Sequence, residues 1–206
     1  MLLWAGLGLI LAGIACLGVD RAVAHALYDR VGSRFHAFLE ATTHWAKAGH
    51  WLVGAIIAYG AARWALTRYP GDPPLLWLAD CSLAFIVSLT IGSAVLHAMK
   101  LVIGRRRPRD DFEMGLHGFR FFAFNLDHNS FPSGHSLTIF CVAVIATAVM
   151  PSFALLWFAI AGWLALTRAL LTAHYLSDVF IGAGIGVIAA RETIAYFFPA
   201  IHLPWF

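Results

Sequence analysis

Apolar residues occur along this chain in six runs, each close to the length that crosses a bilayer. The runs lie at residues 2–19, 48–66, 79–99, 134–150, 152–170 and 174–197. A spanning helix needs about 20 predominantly apolar residues, and tilt accommodates small differences in length. The pattern therefore predicts an all-α membrane protein with about six transmembrane helices, formed by a single domain over residues 1–206.

Two segments between these runs have a different pattern. Residues 20–47 carry apolar side chains near helical spacing with charged side chains between them: Val23, Leu27, Val31 and Phe38, with Arg21, Asp29, Arg30 and Arg34. This pattern predicts an amphipathic helix in the membrane interface between spans one and two, and a plain connecting loop is the alternative. Residues 101–131 form a long loop rich in Arg, Gly and Phe, and loops of this length are usually functional.

Composition supports the membrane prediction and narrows the kind of ligand. The chain is 61% hydrophobic and only 12% charged, whereas soluble domains carry about 25% charged residues. The net charge of +3 is small and clustered, which predicts a local anion site and excludes a nucleic-acid surface. Cys16, Cys81 and Cys141 show no CxxC spacing, so neither a disulfide framework nor a zinc site is indicated. No Lys or Arg precedes the first apolar run, so we interpret it as a retained helix rather than a signal peptide.

The first chemical motif begins at the end of span three. Lys100 is followed by a basic cluster that ends in Arg107-Pro108. Taken alone, this cluster is typical of side chains that extend from a helix end to the membrane interface. Arginine is also the residue that binds phosphate oxygens in pairs, with lysine as a point charge beside it.

The second motif is the tetrad Pro132-Ser133-Gly134-His135, directly before span four. Proline and serine favour a helix start, and glycine permits close approach of another backbone. An ordinary helix start is therefore one interpretation. The other is an anion site at the positive end of the helix dipole, with His135 within reach of the anion.

The third motif is Thr167-Arg168 followed by His174 and Asp178. Residues four apart share one face of a helix, so Asp178 can accept the imidazole N–H of His174 and leave its other nitrogen free to attack. A simple polar pair at the membrane surface is the alternative. In a six-span arrangement all three motifs lie on the same side of the membrane, which unrelated motifs would do only by chance.

The three motifs together resemble the type 2 phosphatidic acid phosphatase (PAP2) superfamily, whose signature is KxxxxxxRP, PSGH and SRxxxxxHxxxD. Every spacing matches over residues 100–178. One residue departs from the pattern, since Thr167 stands where the family has serine, and a hydroxyl is retained.

The resemblance implies a role for each motif residue. His174 would attack phosphorus and form a phosphohistidine, with Asp178 orienting it, while His135 would protonate the leaving oxygen and then activate water. The residues implied in binding phosphate are Lys100, Arg107, Ser133, Gly134 and Arg168, with Thr167 and Pro132 as support. No metal and no other cofactor is implied.

The expected function is hydrolysis of a lipid phosphate, with the bilayer as surroundings and no obligate protein partner. Phosphatidylglycerol phosphate, undecaprenyl diphosphate, phosphatidic acid and lipid A 1-phosphate are the candidate substrates. The aromatic residues of the long loop are expected to form a lid or interfacial anchor around Arg120: Phe119, Phe121, Phe122 and Phe124.

Three other functions remain open from the sequence. One is a lipid phosphotransferase that uses the same phosphohistidine. Another is a proton-coupled transporter or channel, which would spread polar residues through its spans. The third is a metal-dependent hydrolase that uses His117, Asp127, His128 and His135, although their spacings match no known metal motif.

Two arguments on membrane orientation disagree. The loops on the motif side hold eleven Lys and Arg residues and the opposite side holds Arg63, Arg68 and Arg191, which by the positive-inside rule places the motifs in the cytoplasm. Some of these charges would bind phosphate and carry no topological information. The resemblance to bacterial PAP2 proteins implies a site facing the periplasm from the inner membrane, with both termini cytoplasmic.

Overall fold

Helices make up most of the protein in the computed structural model, which describes residues 1–28, 30–122, 124 and 126–203. Nine α-helices occur in those residues: α1 (Leu2–Cys16), α2 (Asp20–Tyr28), α3 (Ser33–Thr43), α4 (Ala48–Ala65), α5 (Pro73–Val102), α6 (Pro108–Met114), α7 (Gly134–Val149), α8 (Ala154–Leu170) and α9 (Leu176–Phe197). Single 3-10 turns lie at His44–Ala46, Leu126–His128 and Pro151–Phe153. The predicted all-α fold is confirmed.

The predicted spans match the observed helices to different degrees. In the described residues, α5, α9 and the segment Pro151–Leu170 are long and apolar enough to cross a membrane, and α1 with α2 would add a fourth span as a bent pair. The apolar helix α7 has 16 residues. The count of six spans therefore stays a prediction.

Helix α5 is longer than the predicted span at residues 79–99. It has 30 residues and begins at Pro73, where the Asp72 carboxylate accepts the N–H of Leu75 at 3.0 Å. Aspartate at the cap and proline in the first turn are strong helix starts. This start extends the helix by a turn and a half beyond the apolar run.

The prediction of a single amphipathic helix over residues 20–47 is wrong in detail. The chain forms two short helices there, α2 and α3, and α2 lies at 81° to α1. The bend occurs where Asp20 turns inward: its carboxylate is 2% exposed and accepts the N–H of Ser177 at 2.9 Å. Gly32, in an extended conformation, separates α2 from α3.

The segment predicted as a long loop, residues 101–131, contains regular structure. Strand β1 (Ile103–Arg105) pairs antiparallel with β2 (Phe119–Phe121), and α6 lies between them. Pro108 is at the first position of α6, and Gly115 ends the helix with φ 68°, a conformation that favours glycine. The two strands place the basic cluster of the first motif against the end of α5.

Helix α9 lies at the centre of the bundle and packs against α1, α5, α7 and α8. A methyl group added to Gly182 would overlap the carbonyl oxygen of Ser133, and one added to Gly186 would overlap that of Leu137. These glycines therefore serve close helix packing. The close approach brings the tetrad to α9, where the N–H of Ser133 donates to the carbonyl of Asp178 at 3.0 Å.

Replacement of Gly182 by alanine is expected to destabilise the protein by about 1–3 kcal/mol, because overpacking forces backbones apart. The control is Gly162→Ala on α8, where an added methyl meets nothing within 4 Å. Thermal unfolding in detergent checks the prediction, and equal unfolding temperatures for the two variants would contradict it.

Candidate active site

The three sequence motifs meet around one cleft of about 670 Å³. Its lining comes from the C-terminal end of α5, the start of α7 and the turn between α8 and α9. The motif residues that line it are Lys100, Arg107, Gly134, His135, Arg168 and His174. The structure therefore brings the three cations and two imidazoles of the motifs to the same space, where Lys47 and His97 also line the cleft.

His174 is held in one orientation by a backbone carbonyl. Its side chain is buried, and its Nδ1 lies 2.8 Å from the carbonyl oxygen of Ser130. Because a carbonyl only accepts hydrogen bonds, Nδ1 carries the proton and Nε2 is the unprotonated nitrogen of the neutral ring. His174 also lines the cleft, so the ring offers the cleft a nitrogen lone pair.

Asp178 acts on His174 mainly through its charge. Its Oδ2 lies 3.7 Å from Nδ1 of His174, which is beyond hydrogen-bonding distance. The expected direct hydrogen bond to the imidazole is replaced by the one from His174 to Ser130. Ser130 in turn donates its hydroxyl to Asp178 at 2.6 Å, so the carboxylate orients the imidazole through Ser130.

The pKa of His174 is lowered to about 4. Burial is the main cause, because removal from water disfavours the charged imidazolium. The neighbouring Asp178 carboxylate opposes this shift, and the charges of Arg168 and Arg107 add to it. The ring is therefore neutral at pH 7, as a nucleophilic nitrogen must be.

Arg105 joins the site to the first turn of α2. Its guanidinium donates to Asp178 at 2.7 Å and to Asp20 at 2.8 Å, and the side chain is 6% exposed. It also stacks over the ring of Tyr175 at 4.0 Å. A third donation reaches the Ser177 hydroxyl at 2.7 Å. We call Asp20, Arg105 and Asp178 the buried ion triad.

Asn129 positions the two cations of the first motif. Lys100 donates its ammonium to the backbone carbonyl of Asn129, and Arg107 donates Nε to the side-chain oxygen at 3.0 Å. Both contacts leave further donors on each cation, because a guanidinium has five N–H groups and an ammonium has three. Lys100 and Arg107 are thus anchored at one edge and still able to bind an anion in the cleft.

Arg168 is anchored from α3. Its Nη1 donates to the hydroxyl of Thr43 at 3.2 Å, and its buried Nε has no hydrogen-bond partner among the described residues. The Thr167 hydroxyl is fully buried and bonds to Thr43 at 3.0 Å and to the Leu164 carbonyl at 2.6 Å. Thr167 therefore contacts Thr43 rather than the cleft, and it supports Arg168 through that contact.

The turn between α8 and α9 fixes the spacing from Arg168 to His174. The carbonyl of Arg168 accepts the N–H groups of Ala173 at 3.0 Å and of His174 at 3.1 Å. Thr172 has a left-handed φ of 50°, which is costly for a branched side chain. The turn brings the guanidinium at the end of α8 and the imidazole before α9 to the same cleft.

The tetrad begins α7 as the sequence predicts. The hydroxyl of Ser133 accepts from the N–H of Ser136 at 3.4 Å and from its hydroxyl at 3.0 Å. Ser133 and Pro132 are fully buried, whereas Gly134 and His135 are half-buried and line the cleft. The ordinary helix start is therefore observed, and the N-terminus of α7 opens toward the cleft.

The residues considered for a metal site from the sequence do not form a cluster. No group of three His, Cys, Asp or Glu side chains in the part of the chain described here is close enough to hold a metal ion. His117 instead lies 3.5 Å from the carboxylate of Asp111. Only His135 of the proposed set lines the cleft.

The aromatic loop lies beside the cleft and is largely exposed. Phe121, Phe122 and Phe124 are 63%, 61% and 68% exposed, and Phe124 also lines the cleft. Phe119 instead packs on the guanidinium of Arg105 at 4.7 Å. Exposed aromatic side chains at the edge of a membrane protein are typical of the membrane interface. An interfacial anchor is therefore a better interpretation of these side chains than a lid.

Several residues that hold the site together were missed by sequence reasoning. They are Asp20, Thr43, Arg105, Asn129 and Ser130. Asp20 carried the best available signal, as an acidic residue directly after an apolar run. The others are ordinary polar residues in segments already rich in them, and only the fold distinguishes them.

The fold and the cleft define an integral membrane protein of helical architecture with a cleft lined by cationic side chains at one end of its bundle. The family model of the PAP2 superfamily matches residues 82–201. The chain therefore belongs to the PAP2 superfamily, and the resemblance drawn from the three motifs is confirmed.

Two curated relatives share the name lipid A 1-phosphatase. The proteins of Rhizobium etli and Rhizobium johnstonii are each 34% identical over 104 residues, which is 50% of this chain. The matched segment spans 45% and 43% of their lengths, so the chain spans less than half of the relatives that it matches.

Two solved structures have a similar fold. Aquifex aeolicus LpxE has a TM-score of 0.62 at 16% identity, with 86% of this chain and 96% of that one covered. The PAP2 type phosphatidylglycerolphosphate phosphatase of Bacillus subtilis has a TM-score of 0.61 at 21% identity, with 95% and 93% covered. Identities this low support the fold alone.

Proposed function

We propose that this protein is a lipid phosphate phosphatase that works through a phosphohistidine on His174. The observation that carries the proposal is the hydrogen bond from Nδ1 of His174 to the Ser130 carbonyl. Because of this hydrogen bond, the unprotonated Nε2 of a neutral imidazole is available in a cleft that is lined by Lys100, Arg107 and Arg168. A held nucleophile among cations is the arrangement that phosphoryl transfer requires.

In the first step, Nε2 of His174 attacks phosphorus and forms a P–N bond as the ester P–O bond breaks. The electron pair of that bond goes to the leaving oxygen, which takes a proton from the imidazolium form of His135, a form that the bound phosphate dianion would stabilise. The imidazolium-like charge that develops on His174 is stabilised by Asp178, 3.7 Å from Nδ1.

In the second step, water attacks the phosphohistidine. His135, now neutral, accepts the proton of the water as its oxygen bonds to phosphorus, and the P–N bond breaks. Inorganic phosphate leaves and His174 returns to its neutral form. The same residue thus acts first as acid and then as base.

The three cations and the Gly134 N–H would bind the non-bridging oxygens of the phosphate, while the fully buried Ser133 would hold the first turn of α7 in place through Ser136. Charge on these oxygens grows in the transition state, so fixed donors accelerate the reaction. Three cations in one half-buried cleft supply the charge that a metal ion supplies in other phosphatases. We therefore propose metal-independent catalysis.

Among the candidate substrates, lipid A 1-phosphate is favoured by the names of the two Rhizobium relatives. The two similar folds have different names, LpxE and phosphatidylglycerolphosphate phosphatase, so the fold alone does not choose a substrate. A panel of lipid phosphates in detergent, assayed for released inorganic phosphate, tests the proposal. Transfer to a second lipid without phosphate release would instead favour the phosphotransferase.

Activity is expected to survive excess EDTA, because the cleft cations do the work of a metal ion. Vanadate should inhibit, since it adopts the trigonal-bipyramidal geometry of the transition state in the same cleft. Initial rates of phosphate release with and without each reagent measure both effects. Loss of activity on chelation, restored by an added divalent metal, would favour the metal-dependent hydrolase.

We further propose that residues 1–206 act as one domain in the bacterial inner membrane, with the cleft facing the periplasm. The charge count that opposes this orientation includes structural cations as well as phosphate-binding ones. Arg105 is in the buried ion triad, and Arg21 is paired with Asp111 at 2.8 Å. Charges held in this way form part of the fold and are weak topology signals.

A cysteine on the cleft side is expected to react with an impermeant maleimide added to intact spheroplasts. Glu113 in α6 is a suitable position because it is exposed, whereas Gly115 has a φ of 68° that strains any other residue. The control is Tyr69→Cys on the opposite side, and Cys16 is replaced by alanine in both variants. Labelling of Tyr69→Cys in intact spheroplasts, with Glu113→Cys protected, would show that the cleft faces the cytoplasm.

A further inference from the structure

One imidazole in the cleft has no role in the proposed mechanism. His97 lies on α5, three residues before Lys100, and lines the cleft from an exposed position. It forms no hydrogen bond or ion pair with another residue in the part of the chain that the structure describes. An ionisable side chain in a membrane-spanning helix is costly and usually functional, and α5 is long and apolar enough to span. His97 is therefore a candidate ligand-binding residue.

A fourth cation, Lys47, lines the same cleft from the turn before α4. It is the N-cap residue of α4, a position that favours Ser, Thr, Asp or Asn and where the helix dipole disfavours a cation. Its ammonium donates to Nδ1 of His44 at 3.1 Å, so two of its three N–H groups remain available for a ligand. Because functional sites are where local preferences are broken, a lysine at this position beside a cleft is expected to bind an anion.

Both residues lie on the side of the cleft toward which a lipid substrate leads. The C-terminal end of α5 lines the cleft, so His97 lies deeper in the membrane than Lys100 by about 4.5 Å, three residues at the helical rise. The lipid part of a substrate must lead from the scissile phosphate toward the bilayer, and hence past His97. Lys47 is close enough for its charge to act on His135, the proposed acid for the leaving oxygen. The group next to the leaving oxygen therefore meets Lys47 and His97.

The cleft also has room for more than one phosphate. Its volume of about 670 Å³ is that of a pocket for a drug-sized ligand, and one phosphate is far smaller. Ser93 lines the cleft four residues before His97 on α5, and Thr138 lines it on α7. Residues four apart share one face of a helix. The polar lining thus continues from Lys100 past His97 into the membrane, which a hydrocarbon chain alone would not need.

We propose that Lys47 and His97 form a second anion site, which binds a second phosphate on the leaving-group side of the scissile one. This inference rests on the proposed function, because the motif cations must hold the scissile phosphate before its neighbour can reach the second anion site. A phosphate beside Lys47 would also offset the charge of Lys47 near His135, and so favour the imidazolium form that the first step needs. Substrates with a second phosphate are thus bound more tightly and protonated more readily at the leaving oxygen.

The second anion site sorts the candidate substrates by their chemistry. Undecaprenyl diphosphate carries its second phosphate directly on the scissile one, and phosphatidylglycerol phosphate carries it as a phosphodiester on the other side of a glycerol. Phosphatidic acid has only the scissile phosphate. Lipid A 1-phosphate, which the names of the relatives favour, would use the motif cations alone.

The kinetic test compares two lipids with the same tail, farnesyl diphosphate and farnesyl monophosphate. The intrinsic reactivity of each lipid is the same for every variant, so a change in the ratio of their kcat/KM values reports on the protein. Lys47→Met and His97→Leu should each lower the diphosphate-to-monophosphate ratio about tenfold, the scale of losing one hydrogen bond to a charged group. Lys47→Arg, which keeps the charge, should retain most of the ratio. The matched control is Arg63→Met, an exposed cation at the other end of α4, which should leave the ratio unchanged.

A second pair of lipids identifies the kind of second phosphate. Phosphatidylglycerol phosphate and phosphatidic acid with the same acyl chains are assayed with the same variants. A loss confined to the farnesyl pair would assign the second anion site to a diphosphate, and a loss confined to the phosphatidyl pair would assign it to a phosphodiester. Unchanged ratios for both pairs in Lys47→Met and His97→Leu would overturn the inference.

A binding test separates this inference from the proposed function, because it needs no turnover. The His174→Ala variant in detergent is titrated calorimetrically with each farnesyl lipid, alone and combined with Lys47→Met. The diphosphate is expected to bind about tenfold more tightly than the monophosphate, and Lys47→Met should remove the difference. Equal affinities of His174→Ala for the two lipids would overturn the inference even if the protein releases phosphate. Tighter diphosphate binding without phosphate release by the wild-type protein would instead contradict the proposed function alone.

Discussion

Replacement of His174 by alanine is expected to lower phosphate release by about 10³-fold or more. Loss of a single member of a catalytic unit typically has an effect of this size, because the remaining members cannot form the covalent intermediate. The variant should still fold, because loss of the hydrogen bond from the imidazole to the Ser130 carbonyl is expected to cost about 1–3 kcal/mol, which is less than the stability of a typical domain. Initial rates in detergent, with the unfolding temperature measured in parallel, check both statements.

Three comparisons sharpen this prediction. Phosphate release by His135→Ala should fall to a similar level, because His135 transfers a proton in both chemical steps. Asp178→Asn should lose less activity, since His174 remains and the hydrogen bond of its imidazole goes to the Ser130 carbonyl. His36→Ala, at an exposed position on α3, should keep wild-type activity. Near wild-type turnover by His174→Ala would disprove the phosphohistidine mechanism.

Replacement of Arg105 by methionine is expected to destabilise the protein by about 3–5 kcal/mol, the usual effect of breaking a buried ion pair from one side. Asp20 and Asp178 are 2% and 0% exposed and would both lose their cation. The total stability of a domain is about 5–15 kcal/mol, so the loss is a large part of it. Thermal unfolding followed by tryptophan fluorescence measures the effect.

The matched control for this variant is the next residue. Arg106 is half-buried and its nearest carboxylate oxygen, on Asp110, is 3.8 Å away, so Arg106→Met should change stability by about 1 kcal/mol or less. Asp20→Asn, which keeps the pair between Arg105 and Asp178, should lie between the two. The same unfolding temperature for Arg105→Met and Arg106→Met would show that the buried ion triad contributes nothing to stability.

The parts of the fold that the sequence predicts are those that depend on local pattern. Apolar runs locate α4, α7, α8 and α9 within a few residues, because their bounds are set by nearby caps and prolines. The strands β1 and β2 have three residues each, too few for an alternating pattern to be visible. The bend between α1 and α2 depends on the contact of Asp20 with Ser177, far along the chain. No local sequence pattern predicts it.

The candidate site divides in the same way. The motif spacings predict which side chains line the cleft, because a spacing of four on a helix or a short turn fixes their direction. They single out Arg107 but do not distinguish Arg105 from Arg106, two arginines that differ only in what surrounds them. Strand β1 turns Arg105 inward to two carboxylates, whereas Arg107 begins α6 and remains beside the cleft.

The buried ion triad also bears on how the chain acquires its site during synthesis. Asp20 emerges first, Arg105 follows, and Ser177 and Asp178 come last, 157 residues after Asp20 in the case of Ser177. Contacts this distant in sequence form late. Until α9 is inserted, Arg105 and Asp20 lack their partners Ser177 and Asp178, and His174 has not yet joined the cleft. We expect a ribosome-bound chain to have no phosphatase activity until α9 enters the membrane.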